Sequence, residues 1–127
     1  MAYQRQVTFG EAIVKAIQEN YCNFSGRASR SEYWWYALAM FALQCALSLV
    51  TFVVGDTAGT IISGLIGLAL LLPGLGLCVR RLHDVGHSGW WLLIALTGIG
   101  AILLLVWYIM PSQAGANEYG DEPNMVY

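Results

Sequence analysis

Three long apolar stretches without a charged side chain dominate the pattern of hydrophobic and polar positions along the chain. They cover residues 33–54, 61–79 and 90–110. A helix needs about 20 apolar residues to cross the hydrocarbon core of a bilayer, because each residue advances the helix by about 1.5 Å. The pattern therefore predicts three transmembrane helices.

A shorter amphipathic segment precedes the first apolar stretch. Thr8 and Glu11 have the spacing of a capping box, which marks the start of a helix. Apolar residues then recur at helical spacing, at Phe9, Ile13, Ala16, Ile17, Tyr21 and Phe24. We expect an interfacial helix over residues 8–24 that lies along the membrane surface or covers the ends of the transmembrane helices.

The predicted fold class is all-α. We expect an integral membrane helical bundle with three transmembrane helices preceded by an amphipathic interfacial helix. The whole chain, residues 1–127, forms a single membrane domain in this prediction, and residues 111–127 form a polar tail. The charged fraction of 11% supports it, because soluble domains have about a quarter of their residues charged.

The Lys and Arg residues are placed asymmetrically between the apolar stretches. All six precede the first stretch or lie between the second and third: Arg5, Lys15, Arg27, Arg30, Arg80 and Arg81. Three crossings put all of them on one side, which the positive-inside rule makes cytoplasmic. We therefore expect a cytoplasmic N-terminus and a periplasmic or extracellular C-terminus.

Aromatic residues at the ends of the apolar stretches agree with this topology. Residues 33–36 and 90–91 would mark the cytoplasmic boundary, and residues 107–108 the outer one. The net charge of −2 argues against a nucleic-acid partner, because phosphate binding requires clustered cations.

Small residues in the second stretch predict close helix contact. Gly59, Ser63 and Gly67 recur every four residues and give one smooth helical face. This face could pack against another helix of the same chain or mediate homo-oligomerisation, and the sequence leaves both open.

The loop between the second and third stretches carries the densest chemistry of the chain, in the segment RRLHDVGHSGWW at residues 80–91. One interpretation is phosphate binding, to lipid headgroups or a phosphorylated ligand, by Arg27, Arg30, Arg80, Arg81 and His83. Glu32 and Asp84 would then hold the guanidinium groups in place as structural ion pairs.

Two other interpretations of this loop remain open. His83, Asp84 and His87 could ligate a metal, although Gly86 and Gly89 weaken the helix that such a site needs. Alternatively, the arginines set the topology and the glycines make the turn. We expect no catalytic residue, no metal and no cofactor. We also expect the two basic segments, which carry Arg27 with Arg30 and Arg80 with Arg81, to form one cluster at the same membrane surface.

Three segments of the chain resemble one known family. FSGRASRSEYW at residues 24–34, RRLHDVGHSGWW at 80–91 and PSQAGANEYGDEP at 111–123 are similar to the bacterial family of small inner-membrane proteins called domain of unknown function (DUF) 805. The resemblance implies a multi-span protein of the bacterial inner (plasma) membrane. It implies no established activity, substrate or catalytic residue.

These observations favour a binding, scaffolding or accessory component whose basic cytoplasmic surface contacts anionic lipid or phosphate. Its partners would be membrane lipids, a second copy of the chain or another membrane protein. The alternatives are a membrane-embedded enzyme and a minimal oligomeric transporter. A copurifying metal or cofactor would favour the enzyme, and a polar path at the axis of an oligomer would favour the transporter.

Overall fold

A computed structural model describes residues 3–126 and is mostly helical. Residues 1, 2 and 127, which the predicted single domain includes, lie outside the described residues. The helices in chain order are α1 (Phe9–Val14), a π-helix (Lys15–Glu19), α2 (Arg30–Val54), α3 (Asp56–Asp84), a 3₁₀-helix (Gly89–Leu96) and α4 (Gly98–Ile109). Two short strands, β1 (Tyr3–Gln4) and β2 (Met125–Val126), pair antiparallel. The all-α prediction is confirmed.

Two of the helices, α2 and α3, are long and apolar enough to cross a membrane. With 25 and 29 residues, they are about 38 Å and 44 Å long, which exceeds the roughly 30 Å hydrocarbon core. Gly55 alone separates them and has a φ of 96°, a left-handed conformation that glycine adopts without strain. This single residue turns the chain, so α2 and α3 form an antiparallel pair.

The start of α2 follows from a capping box. The Ser29 hydroxyl accepts a hydrogen bond from the backbone N–H of Glu32, and the Glu32 carboxylate accepts one from the N–H of Ser29. Helix α3 is longer than the predicted 61–79 at both ends, and it continues through Pro73 to Asp84. Arg81 and Asp84 therefore lie in the last turn of α3, beyond its apolar segment but on the same continuous helix.

The third apolar stretch is folded back on itself. Its first part is the 3₁₀-helix, its second part is α4, and Thr97 lies between them in an extended conformation. The rings of His87 and Trp107 stack at a centroid distance of 3.9 Å. In one continuous helix, these two residues would be separated by about 30 Å. Residues 89–109 thus form a helical hairpin, which we call the apolar hairpin.

Thr97 explains where the apolar hairpin turns. Its hydroxyl donates to the carbonyl of Ile94 at 2.9 Å and accepts from the N–H of Gly100 at 3.0 Å. The same side chain therefore ends the 3₁₀-helix and caps the start of α4.

The apolar hairpin corrects the predicted third transmembrane helix at 90–110. Each of its arms is about 16 to 18 Å long, roughly half of the hydrocarbon core. Both ends of the hairpin therefore lie at the same end of the molecule. The aromatic residues agree, because Tyr33 stacks on Tyr108 at 4.4 Å and the indole N–H of Trp34 donates to the carbonyl of Tyr108 at 2.9 Å.

The C-terminal tail also lies at this end, next to the N-terminus. Strand β1 pairs with β2, and the N–H of Arg5 donates to the carbonyl of Asn124 at 2.8 Å. The side-chain amide of Asn124 donates to Ser29 and to Glu32, both at 3.0 Å. The expectation of a tail on the opposite side from the N-terminus is not supported, because it depended on a third crossing.

The segment before α2 packs across the ends of the long helices. Thr8 caps α1 as expected from its spacing to Glu11. Ala16 is fully buried and packs in one core cluster with Tyr36 of α2 and Leu77 of α3. The helical structure ends at Glu19 rather than at residue 24. The side-chain amide of Asn20 donates to the carbonyl of Lys15 at 2.7 Å, which satisfies a carbonyl at the helix end.

The small-residue face of α3 makes an internal contact at only one of its glycines. A Cβ added at Gly59 would lie 2.3 Å from the side chain of Thr51, so α2 and α3 approach closely there. A Cβ added at Gly67 would have nothing within 4 Å. Internal packing therefore accounts for Gly59 and not for Gly67, and homo-oligomerisation through this face stays a prediction.

Candidate functional site

Three charged side chains meet at the end of the molecule where both termini lie. The Nε of Arg27 lies 3.0 Å from Oδ1 of Asp84, and Nη1 of Arg81 bonds to Oδ2 of the same carboxylate. All three side chains have no exposed surface. We call Arg27, Arg81 and Asp84 the buried ionic cluster.

Two segments place the residues of this cluster. Arg81 and Asp84 lie three residues apart in the last turn of α3, so their side chains share one helix face. Arg27 comes from the turn before α2, where Gly26 has a φ of 90°. The N–H of Ala28 donates to the carbonyl of Arg80 at 3.0 Å. This backbone bond fixes the turn against α3 and brings Arg27 to the carboxylate.

The C-terminal tail supplies carbonyl acceptors for Arg27. Its guanidinium donates to the carbonyls of Gln113 at 2.5 Å and Gly115 at 2.6 Å. The N–H of Gln113 in turn donates to the carbonyl of Asp84 at 2.9 Å. The tail is therefore part of the site, a role the sequence analysis missed because it placed the tail on the other side of the membrane.

The end of α4 and the residues after it supply carbonyl acceptors for Arg81. Its guanidinium donates to the carbonyls of Tyr108 and Met110. The hydroxyl of Ser112 donates to Oδ2 of Asp84 at 2.5 Å. The cluster has two cations and one carboxylate, so the carbonyl oxygens around the two arginines compensate the excess positive charge. The cluster thus ties the turn before α2, the end of α3, the end of α4 and the tail together.

Glu32 does not take the ion-pair role that the sequence suggested. Its carboxylate accepts from the backbone of Ser29 and from Asn124, and it lies in none of the ion pairs between described residues. Arg80 is 3% exposed and donates through Nε to the carbonyl of Asn23 at 3.2 Å. Its Nη2 has no hydrogen-bond partner within residues 3–126.

Only two of the five proposed phosphate ligands reach the surface. Arg30 is exposed, and its Nη1 donates to the carbonyl of Ile109 at 3.1 Å. His83 is half-buried and stacks in parallel on Tyr119, with ring centroids 4.0 Å apart. Arg27, Arg80 and Arg81 are buried, so an external phosphate cannot reach them in this conformation.

The two histidines of the loop face different neighbours. His83 stacks on Tyr119, and His87 stacks on Trp107 of the apolar hairpin. Within residues 3–126, no three His, Cys, Asp or Glu side chains are grouped so that they could hold a metal ion. The geometry therefore offers no support for the metal-site interpretation of His83, Asp84 and His87.

Among the described residues, one ion pair lies outside the buried ionic cluster, in the N-terminal segment. The guanidinium of Arg5 donates to both carboxylate oxygens of Glu11, at 3.0 and 2.6 Å. These hydrogen bonds lower the pKa of Glu11 to about 2. The pair is exposed to solvent, so it contributes little to stability.

A groove that the sequence analysis did not foresee opens beside His83. It lies between α3 and the 3₁₀-helix of the apolar hairpin and has a volume of about 470 Å³. No sequence signal identified it, because it exists only where the third apolar stretch folds back against α3.

Comparison with known proteins places the chain in a family. The family model described as "Protein of unknown function (DUF805)" matches residues 21–121. The chain belongs to the DUF805 family. The matched region contains every residue of the buried ionic cluster, together with Ser112 and Gln113, and it excludes β1 and β2.

Two DUF805 relatives from Escherichia coli (strain K12) are similar over most of their length. The chain is 38% identical to inner membrane protein YhaI over 109 residues, which cover 85% of this chain and 92% of YhaI. It is 33% identical to inner membrane protein YhaH over 113 residues, which cover 86% and 93% of the two chains. No solved structure matches the chain. The chain is a small bacterial inner-membrane protein, and its family has no assigned activity.

Proposed function

We propose that this DUF805 protein is a binding and accessory component of the inner membrane whose basic end faces the cytoplasm and contacts anionic lipid headgroups. The observation that carries the proposal is the division of its arginines by burial. Arg27 and Arg81 are paired with Asp84 in the buried ionic cluster, which holds the fold together. Arg30, by contrast, is exposed at the membrane boundary.

The cytoplasmic orientation follows from the charges at the two ends of the molecule. All six cations lie at the end where both termini lie. The opposite end, around the turn at Gly55, carries only Asp56. The positive-inside rule assigns the end with the cations to the cytoplasm. Both termini are therefore cytoplasmic in this proposal, with two full crossings and the apolar hairpin entering from the cytoplasmic side.

Arg30 has the surroundings of a headgroup contact. It opens α2 four residues before Trp34, whose indole N–H donates to the carbonyl of Tyr108. Tryptophan at such a boundary sits at the level of the headgroups. A guanidinium at this level can donate two parallel hydrogen bonds to a lipid phosphate, and each cation near an anionic surface adds about 1 kcal/mol.

Arg30→Gln should lower the retention of anionic lipid about fivefold, the factor that corresponds to about 1 kcal/mol. The measurement is the amount of phosphatidylglycerol that remains with the purified protein, relative to phosphatidylcholine, after reconstitution in vesicles of both lipids. Arg5→Gln is the matched control, because Arg5 is also exposed but its guanidinium is bonded to Glu11. Equal retention in the wild type and Arg30→Gln would contradict the proposal, as would an equal loss in both variants.

A further inference from the structure

The groove between α3 and the apolar hairpin has an apolar wall and lies within the membrane-embedded part of the chain. Its volume of about 470 Å³ falls within the roughly 300 to 1,000 Å³ of typical ligand sites. Leu75, Val79, Trp90, Leu92 and Leu93 form most of the lining. Trp90 is 79% exposed and Leu93 is 60% exposed, so the groove opens toward the surrounding lipid.

One end of the groove is polar. His83 and Ser88 line it there. The Nδ1 of His83 lies 3.0 Å from the carbonyl of Gly26, which can only accept, so Nδ1 carries a proton. The Nε2 of the same ring is then an acceptor in the neutral form and a donor in the protonated form.

Ser88 adds a second donor at the same end. Its Oγ accepts from the N–H of Trp90 at 3.3 Å. Within residues 3–126, its O–H donates to no acceptor. His83 and Ser88 line the same groove, and a hydroxyl and a protonated imidazole both donate hydrogen bonds of the kind that phosphate oxygens accept.

Polarity therefore changes along the groove in the same direction as it changes across a membrane leaflet. His83 lies in the last turn of α3, near the cytoplasmic boundary, and Leu75 lies eight residues earlier on the same helix, about 12 Å deeper. We propose that the groove binds one anionic phospholipid of the membrane, with its phosphate at His83 and Ser88 and one acyl chain along Leu75, Val79, Leu92 and Leu93. This rests on the cytoplasmic orientation proposed above.

Photolabelling of the full-length protein tests the acyl-chain part. The protein is reconstituted in vesicles of phosphatidylcholine and phosphatidylglycerol that contain a trace of phosphatidylglycerol with a diazirine in the middle of one acyl chain. After irradiation, label should concentrate in the peptides that contain 75–79 and 92–93. Label spread evenly over the lipid-facing surfaces of α2 and α3 would overturn the proposal.

A filling variant and a matched control make the labelling test specific. Leu75→Trp places an indole in the groove and should reduce labelling of 92–93 about tenfold, equivalent to about 1.4 kcal/mol. Leu68→Trp lies seven residues earlier on the same face of α3, is 70% exposed and does not line the groove. It should leave the labelling unchanged. Equal labelling in the wild type and Leu75→Trp would overturn the proposal.

The selection of an anionic headgroup is tested at His83. His83→Asn keeps a nitrogen donor near the position of Nδ1 for the carbonyl of Gly26 and removes Nε2. The wild type should be labelled about tenfold more by the phosphatidylglycerol probe than by the same probe with a phosphatidylcholine head, a preference worth about 1.4 kcal/mol. His83→Asn should abolish the preference, and His87→Asn, which changes a ring stacked on Trp107, should keep it.

Equal labelling of the wild type by both probes would overturn the proposed preference for an anionic phospholipid, whatever the folding of the variants. This failure is separable from failure of the proposed function. If the surface contact alone is correct, Arg30→Gln lowers lipid retention while the groove shows no specific label. If the groove alone is correct, the groove is labelled specifically while Arg30→Gln retains as much phosphatidylglycerol as the wild type.

Discussion

Asp84→Ala should lower the free energy of unfolding by about 3 to 5 kcal/mol, the cost of removing one partner from a buried ion pair. The substitution leaves Arg27 and Arg81 buried with no carboxylate between them. It also removes the acceptor of the Ser112 hydroxyl. Equilibrium unfolding in a mild detergent, followed by circular dichroism, measures the change.

Glu11→Ala is the matched control for Asp84→Ala. Glu11 likewise accepts two hydrogen bonds from arginine, both from Arg5, but this pair is exposed to solvent. Its removal should leave the free energy of unfolding nearly unchanged, since solvent screens exposed pairs. A loss for Asp84→Ala no larger than that for Glu11→Ala would show that the cluster does not hold the segments together.

Gly100→Ala should destabilise the apolar hairpin by about 3 kcal/mol, the upper end of the usual cost of overpacking. An added Cβ would lie 1.9 Å from the carbonyl oxygen of Ile94. This oxygen belongs to the backbone, so the clash cannot be relieved by a side-chain rotation. The turn at Thr97 must open, which separates the 3₁₀-helix from α4.

The hairpin also offers a matched control for this substitution. Gly98 lies two residues earlier in the same turn, and an added Cβ there has nothing within 4 Å. Gly98→Ala should change the free energy of unfolding by less than about 1 kcal/mol. Cysteines at positions 87 and 107 should be joined by a short bifunctional thiol reagent in the Gly98→Ala background and much less in Gly100→Ala, because the rings at these positions stack in the closed hairpin. Equal crosslinking yields in both backgrounds would contradict the proposed effect on the turn.

The sequence predicted the elements that depend on local signals. Thr8 and Glu11 identified the start of α1, and the structure shows the Thr8 side chain accepting from the N–H of Glu11 as the N-cap. The first two charge-free stretches correspond to α2 and α3, because a long apolar run without polar interruptions is stable as a helix in lipid. The family resemblance rested on three segments in the correct order. It was confirmed, because the DUF805 family model matches residues 21–121.

The path of the third apolar stretch could not be predicted in this way. A charge-free run of about 20 residues has the same composition whether it crosses the membrane once or enters and returns. The residues that turn it are Thr97, Gly98 and Gly100, and Thr and Gly are also ordinary within transmembrane helices. The decisive contact, His87 on Trp107, joins residues twenty positions apart and has no local signature.

The unpredicted path of the third apolar stretch explains which residues of the site the sequence analysis missed. Placing both basic segments at the ends of helices on one side brought Arg27 toward Arg81 and Asp84, and the structure brings these three together. The carbonyls and the hydroxyl from residues 108–115 were absent from that analysis, because a third crossing put them on the far side. Without these carbonyl acceptors, the buried arginines were read as ligands for an external phosphate.

The location of the C-terminus tests the account most directly, because it depends on the apolar hairpin and on the orientation together. Green fluorescent protein fluoresces when it folds in the cytoplasm, and alkaline phosphatase is active only where its disulfides form, outside it. The account predicts fluorescence and no phosphatase activity for fusions after Tyr127, and the same result for fusions before Met1. An active phosphatase after Tyr127, together with a cytoplasmic N-terminus, would contradict it and restore three full crossings.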